Sequence, residues 1–295
     1  MTREFARLHL FKFHAYGNDF LVTEDPIQEG LVSGTARVAC NRHFGVGADG
    51  LLLLHEKAGG YWSLRIINAD GSESGMSGNG GRCAAAYLHF FSRQSFGEIR
   101  FITSSGEKIY TRTSSAFPEA YYESLMGIPS FAASDIPFSA AGAELKEVNN
   151  FRLQSQGLDE QIFALSVGNP QCVVFRESLP EIDELEKLGS KIEAHPFFPE
   201  RTNVSFVKVV SRSHVKIRIW ERGVGVTTSS GTGSCGAAVA SIRTGKTDGS
   251  VKVETDAGSQ IVEWEPESQV KLTGGTAFIG EVWIPEPELT GIGKS

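Results

Sequence analysis

The sequence has few cysteines and no long hydrophobic run, and each shortage argues against a class of protein. Its 295 residues include only four cysteines. They lie far apart, without a Cys-x-x-Cys pair or a zinc-finger cluster of cysteine and histidine, which argues against a disulfide framework and a structural zinc site. No stretch approaches the roughly 18 apolar residues of a membrane-spanning helix, and residues 1–13 lack the apolar core of a signal peptide. We therefore predict a cytoplasmic protein without a membrane or metal partner.

Runs of basic residues are also missing. The chain has 28 Lys and Arg against 35 Asp and Glu, a formal net charge of −7. Without a basic run, neither nucleic acid nor an anionic membrane has an electrostatic landing site, so no nucleic-acid partner is expected. With 40% hydrophobic and 21% charged residues, the chain has the composition of a globular protein and room for two ordinary domains.

Helical patterns are scarce, whereas alternation of apolar and polar residues is common. Val215, Ile217 and Ile219 share one face of such a run, as expected for a half-buried strand. Similar short runs cover 62–67, 99–103, 206–210, 251–254 and 278–284. Helices are predicted at 81–93, 179–192, 236–244 and possible at 32–41. The pattern indicates an α+β protein with mostly antiparallel sheet and few helices.

An internal repeat is the most informative feature of the chain. Ser77-Gly78-Asn79-Gly80 and Ser230-Gly231-Thr232-Gly233 each precede a helical segment and lie 153 residues apart. Asn68 and Glu221 have the same offset. Gly17-Asn18 and Gly168-Asn169 are 151 residues apart. Three ordered matches at nearly one offset indicate two pseudo-symmetric halves.

The boundary between the halves is expected within 124–141, where Gly, Pro, Ala and Ser break the strand pattern. We place the end of the first half at residue 127 and the start of the second at residue 128. Two similar domains joined in this way are expected to leave a ligand-binding cleft.

The two glycine-rich turns are candidate anion sites. Unpaired N–H groups and the positive end of the helix dipole favour a bound carboxylate at each turn. They would also stabilise negative charge that develops on an adjacent carbon, which suits abstraction of a proton next to a carboxylate without a cofactor. Most turns of this kind are plain helix caps, but the pairing at a fixed offset favours the functional interpretation.

A dinucleotide site is a weaker interpretation of the same glycines. Gly231 to Gly236 fits the Gly-x-Gly-x-x-Gly fingerprint, with Glu254 18 residues further on. The flanking strands alternate like antiparallel sheet rather than reading as buried parallel strands, which argues against it.

The ordered motifs resemble those of the diaminopimelate epimerase family over nearly the whole chain. The motifs that carry the resemblance are Gly17-Asn18-Asp19-Phe20, residues 42–50 (RHFGVGADG), residues 68–73 (NADGSE), Ser77 to Gly80, Gly168-Asn169-Pro170, Thr202-Asn203-Val204, residues 221–225 (ERGVG) and Ser230 to Gly233. The resemblance implies two α+β halves, each a mostly antiparallel sheet wrapped around a central helix. It also implies that the last strand, at 278–284, returns to the first half, so that the halves comprise residues 1–127 with 278–295, and residues 128–277. It implies a cofactor-independent isomerase that interconverts LL- and meso-diaminopimelate in lysine and peptidoglycan biosynthesis, often as a homodimer.

The resemblance also implies roles for individual residues. The N–H groups of Gly78, Asn79, Gly231 and Thr232 would hold the reacting carboxylate. The residues that match substrate-holding positions of the family are Asn18, Asn68, Asn169, Asn203, Glu221 and Arg222. Arg222 can bind a carboxylate through two hydrogen bonds, and Glu221 can accept from an ammonium group. A substrate with an amino-acid group at each end needs a group that binds its carboxylate and a group that binds its ammonium.

One departure from the family concerns the chemistry itself. The family has a cysteine acid and a cysteine base, and the matching positions here are Ser77 and Ser230. A serine hydroxyl is a far weaker acid than a thiol, so it needs its own base, and neither turn motif contains one. Gln171 and Val226 stand where the family commonly has His and Glu. Cys83 and Cys235 are expected to be buried and to be poor substitutes.

Three interpretations follow from these departures. The first is a diaminopimelate epimerase with Ser77 and Ser230 at the acid/base positions. The second is an isomerase or dehydratase of the same fold with altered chemistry, in which one serine is activated or one face exchanges protons. The third is a catalytically inactive protein that binds an amino acid. A deliberate replacement of both cysteines would look the same at 77 and 230, but Gln171 and Val226 favour a natural variant.

Overall fold

The computed structural model describes residues 7–75, 77–92, 97–140, 145–155 and 157–285. Its internal contacts divide the chain into two compact units. The first comprises Met1–Ser124 with Gly274–Ser295, and the second comprises Leu125–Thr273. Each unit is mostly strand and contains two α-helices among its described residues.

The first unit begins with eight strands and two helices. The strands are β1 (Arg7–Ala15), β2 (Asn18–Thr23), β3 (Gly50–Lys57), β4 (Tyr61–Asn68), β5 (Glu73–Ser74), β6 (Glu98–Thr103), β7 (Gly106–Ala116) and β8 (Glu119–Leu125). The helices are α1 (Val32–Ala39) and α2 (Gly78–Phe91), and a short 3₁₀ turn covers Glu29–Leu31.

The second unit repeats this content. Its strands are β9 (Val148–Ser155), β10 (Leu158–Ser166), β11 (Pro170–Phe175), β12 (Asn203–Ser211), β13 (His214–Glu221), β14 (Gly225–Thr227), β15 (Ser250–Thr255), β16 (Gly258–Glu263) and the start of β17 (Lys271–Pro285). Its helices are α3 (Ile182–Glu193) and α4 (Gly231–Arg243), with a 3₁₀ turn at Ala133–Asp135. The chain of β17 continues into the first unit, where it pairs antiparallel with β1.

Strand pairing confirms the internal repeat. In the first unit β2 pairs parallel with β3, β3 antiparallel with β4, and β4 parallel with β6. In the second unit β11, β12, β13 and β15 pair in the same senses and order. Helices α1 and α3 connect the first parallel pair of each unit, and α2 and α4 connect the second. The two units therefore have the same topology.

Each unit wraps its strands around one central helix. Residues 80–88 of α2 and 233–241 of α4 are all buried. Both helices are rich in Gly and Ala, and these small residues let strands pack closely on every side. Strand residues such as Phe13 and Phe101 pack with α2, and Val215 and Ile217 pack with α4.

The predicted strands are confirmed, but the two central helices begin earlier than expected. They start at Gly78 and Gly231 rather than at 81 and 236, because Ser77 and Ser230 are their N-caps. The helices predicted at 32–41 and 179–192 are observed as α1 and α3. The helix end predicted at Arg93 and the linker end at Ala141 lie outside the described residues. No helix in the described ranges is long and apolar enough to cross a bilayer.

Candidate functional site

Each unit has a candidate half-site centred on the serine-capped N-terminus of its central helix. The Ser77 Oγ atom accepts a hydrogen bond of 3.0 Å from the Gly80 N–H, and the Ser230 Oγ atom accepts one of 3.2 Å from the Gly233 N–H. Both serines have the extended backbone of an N-cap. The cap fixes each hydroxyl at the mouth of its helix.

The N–H groups that follow each serine remain available for a ligand. No acceptor among the described residues takes a hydrogen bond from the backbone N–H of Gly78 or Asn79, or from that of Gly231 or Thr232. These groups point out of the positive end of the helix dipole, so each N-terminus is suited to a carboxylate. The geometry thus agrees with the predicted anion sites.

In the first unit, Asn79 is joined to Asn18. The Asn79 Nδ2 group donates to the Asn18 Oδ1 atom at 3.2 Å, and the Asn18 Nδ2 group donates to Asp49 at 2.7 Å. The buried Arg82 donates to Asn79 Oδ1 from below the turn. The asparagines are therefore held in one orientation by a chain of polar contacts.

A charged cluster stabilises the loop that carries Asp49. Arg42 donates to both Asp19 and Asp49 at 2.7–3.1 Å, and Lys12 lies 3.0 Å from Asp19. Burial raises the pKa of Asp19, but the hydrogen bonds from Arg42 and Lys12 outweigh it and leave this pKa below its ordinary value. The cluster fixes Asp49 against Asn18. The sequence motifs contain these residues, but their pairing needs the fold.

Asn68 is exposed, and although its backbone pairs with Gly50 beside Asp49, its side chain bonds elsewhere. Its side-chain amide donates to the Ser72 hydroxyl at 2.9 Å. Among the described hydrogen bonds there is none between Asn68 and Ser77.

The second unit repeats the amide contact. The Asn169 Nδ2 group lies 3.4 Å from the Thr232 Oγ1 atom, in the position that corresponds to the Asn18–Asn79 pair. The buried Gln171 donates to Asn169 Oδ1 at 2.7 Å and so turns the amide nitrogen toward Thr232. Gln171 therefore has a positioning contact where the family commonly has a titratable residue.

Asn203 and Arg222 form a further contact pair in the second unit. The Asn203 Oδ1 atom accepts from the backbone N–H of Arg222 at 2.9 Å, and its Nδ2 group donates to the Pro170 carbonyl at 3.0 Å. The exposed Arg222 guanidinium donates to the Glu200 carbonyl at 2.9 Å. The bond to Glu200 anchors one nitrogen of Arg222, and the planar guanidinium group remains suited to binding a carboxylate.

Glu221 is a titratable side chain that lies beside Ser230. Its half-buried carboxylate lies close enough to the Ser230 hydroxyl for that group to affect its pKa. Burial raises the pKa of Glu221, and the Ser230 hydroxyl lowers it only in part. Sequence reasoning missed this contact because nine residues separate the two positions. A sequence signal for this contact does exist. Glu221 ends β13 and pairs with Gly225 of β14, so the chain turns back at this point and continues toward Ser230.

The four cysteines are all buried, and this confirms the expectation for Cys83 and Cys235. Burial raises the pKa of the Cys40 and Cys83 thiols to about 12 and raises that of Cys172 as well. These three thiols are protonated at neutral pH. In the described ranges, no three or more His, Cys, Asp and Glu side chains cluster as a metal site would require.

Comparison with known proteins identifies the family. The diaminopimelate epimerase family pattern matches residues 10–127 and 163–279. A diaminopimelate epimerase of Synechococcus is 39% identical over 281 residues, covering 91% of this chain and 95% of its own. One from Pelotomaculum thermopropionicum is 38% identical over 288 residues and covers 93% and 98%.

Solved structures with lower identity share the fold. A phenazine biosynthesis protein of the PhzF family from Bacillus anthracis has a TM-score of 0.67 at 16% identity, covering 95% of this chain and 99% of its own. A methylitaconate-delta-isomerase has a TM-score of 0.58 at 13% identity and covers 99% of both chains. Fold, repeat and sequence identity agree: the chain belongs to the diaminopimelate epimerase family.

Proposed function

We propose that this protein is a cofactor-independent amino-acid epimerase that interconverts LL- and meso-diaminopimelate, in lysine and peptidoglycan biosynthesis. Ser77 and Ser230 are its acid/base positions. The observation that carries the proposal is the twofold repetition of one arrangement: a serine N-cap, two N–H groups open to a ligand, and an amide held beside them. Relatives named diaminopimelate epimerase at 38–39% identity support the choice of substrate.

The remaining predicted residues are proposed to hold the substrate. The N–H groups of Gly78, Asn79, Gly231 and Thr232 take the reacting carboxylate. The side chains that hold the rest of the molecule are Asn18, Asn68, Asn169, Asn203, Glu221 and Arg222. Of these, the exposed Arg222 guanidinium suits the distal carboxylate best, because its fork can make two parallel hydrogen bonds.

The proton step is best supported at Ser230. As the α-proton moves to the Ser230 oxygen, the hydroxyl proton of Ser230 passes to the Glu221 carboxylate. The Cα–H bond breaks, a new O–H bond forms on serine, and the old serine O–H bond is replaced by one on Glu221. The electron pair left on the α-carbon delocalises into the substrate carboxylate, where helix N–H groups stabilise it. This relay avoids a free serine alkoxide.

Among the described residues, no carboxylate shares a hydrogen bond with Ser77, and this favours a second candidate function. Asn68, which corresponds to Glu221 in the repeat, bonds Ser72 instead. A same-fold isomerase that exchanges protons on the Ser230 face alone fits this asymmetry. In deuterated water, that enzyme incorporates α-deuterium without inverting the carbon, whereas an epimerase does both. A purely binding homologue does neither.

Finer properties rest on the family resemblance. We propose a cytoplasmic homodimer, with domains at residues 1–127 plus 278–295 and at 128–277. Sedimentation of the full chain would test the dimer.

An epimerase assay tests the proposed function directly. The wild-type chain is compared with the double variant Ser77→Cys/Ser230→Cys on diaminopimelate. We expect the thiols to raise inversion by about 100-fold or more, because a thiol yields a usable base near neutral pH. Exposed serines changed in the same way, Ser104→Cys/Ser213→Cys, should leave the rate unchanged. No gain in the double variant would contradict the diaminopimelate assignment.

A further inference from the structure

Arg82 is a buried charge in the first turns of α2. Its side chain has no solvent-exposed surface. The guanidinium lies 5.8 Å from the centre of the Tyr16 ring. Space for it depends on Gly274, because a Cβ atom at that position would lie 2.9 Å from the guanidinium carbon. The position of the Arg82 guanidinium therefore requires a residue without a side chain at position 274.

No carboxylate of the described residues neutralises Arg82. Its only hydrogen bond from the guanidinium goes to the neutral Asn79 Oδ1 atom, and its Nε and Nη1 atoms have no acceptor among those residues. Other arginines of the first unit differ sharply, since Arg42 and Arg65 each bind two carboxylates. Burying an unpaired charge is costly, so its presence calls for a compensating anion.

The position of Arg82 indicates where that anion binds. Its Nη1 atom lies 4.0 Å from the place that a Cβ atom on Gly78 would occupy. Its Nη2 atom bonds Asn79, and Asn79 in turn bonds Asn18. The guanidinium thus lies directly behind the two N–H groups that open the helix, and its charge adds to the positive end of the helix dipole.

The second unit has no counterpart of this charge. The residue at the repeat offset of 153 from Arg82 is Cys235, which is fully buried and has no cationic side chain. The carboxylate of Glu221 lies near the serine of that unit instead. The positive charge is therefore specific to the N-terminus of α2.

We propose that Arg82 is a positioning residue that makes the N-terminus of α2 the stronger of the two carboxylate-binding helix ends. It acts through its field and through Asn79, without touching the ligand. The identity of the ligand as the reacting carboxylate of diaminopimelate rests on the proposed function; the anion site itself does not.

The test uses the full chain and separates binding from folding. The variants are Arg82→Met, Arg82→Lys and the control Arg65→Met, which removes a paired surface charge from the same unit. Calorimetric titration measures the Kd for diaminopimelate. In parallel, the rise in Tm with millimolar sodium sulfate is measured at constant ionic strength set with sodium chloride. Sulfate serves as a probe of the anion site that does not depend on the substrate assignment.

We expect Arg82→Met to weaken diaminopimelate binding by about tenfold to a hundredfold, as for loss of one charge within a few ångströms at a partly buried site. It should also abolish the sulfate-dependent rise in Tm. Arg82→Lys should retain part of both effects, and Arg65→Met all of them. If the methionine variant does not fold, Arg82→Gln, which keeps a donor but not the charge, replaces it in the same comparison.

The outcomes distinguish the two proposals. If the wild type fails to bind diaminopimelate but sulfate stabilises it and not Arg82→Met, the substrate assignment fails and the Arg82 inference stands. If Arg82→Met binds diaminopimelate as tightly as the wild type, or if sulfate shifts both equally, the inference is overturned. It is also overturned if neither ligand affects the wild type.

Discussion

The two half-sites share one backbone framework but carry opposite charges. In both, a serine caps a buried helix and an amide group faces the first turn. The first adds the buried Arg82, whereas the second adds Glu221 beside its serine. The repeat therefore preserves the backbone of the two helix ends, while single side chains give each end a different charge.

The largest expected effect comes from replacing the serines one at a time. Because Ser230 already has a carboxylate beside it and Ser77 does not, Ser77→Cys should raise inversion of diaminopimelate more than Ser230→Cys does. We expect a gain of about 100-fold for the former and about tenfold or less for the latter. Initial rates of inversion measure both. Equal gains would show that Glu221 contributes nothing to the asymmetry.

A smaller effect tests whether the framework is shared. Ser77→Ala and Ser230→Ala each remove an N-cap hydrogen bond and should each lower the free energy of unfolding by about 1 kcal/mol. Urea unfolding of the ligand-free chain measures this, and Ser77→Asp, which retains a capping oxygen, is the control. If only one of the two alanine variants lost stability, the two N-caps would not be equivalent.

The smallest effect is a change of stability with pH that belongs to the second half alone. Burial raises the pKa of Glu221 above the ordinary carboxyl value of about 4.3, which applies in the unfolded state. At pH values between these two pKa values, Glu221 keeps its proton in the folded state but has lost it in the unfolded state. The stability that Glu221 contributes is therefore full below about pH 4 and falls as the pH rises through this window.

Glu221→Gln has no such proton. As the pH rises across this window, the free energy of unfolding of the variant should rise relative to that of the wild type. Urea unfolding of both proteins at a series of pH values measures the difference. Parallel curves would contradict the raised pKa. Asn68→Asp places a carboxylate at the corresponding exposed position of the first half and serves for comparison.

Most of the fold could be predicted from the sequence, because alternation and glycine spacing are local signals. The run from Val215 to Ile219 and the 153-residue offset of the serines predicted the strands and the repeat. Helix starts were placed late, since glycines in a first turn resemble a loop until the serine cap is seen. The Glu221–Ser230 contact and the unpaired burial of Arg82 could not be predicted, because both depend on how β13, α2 and their neighbours pack.

Solvent exchange with each epimer separately tests the central claim most directly. The wild-type chain is incubated in deuterated water with LL- or meso-diaminopimelate, and α-deuterium is measured in the recovered, uninverted substrate. One relay at Ser230 and Glu221 predicts that one epimer exchanges at least about ten times faster than the other, and that Glu221→Gln abolishes this exchange. Equal exchange from both epimers, or exchange that survives Glu221→Gln, would contradict the account.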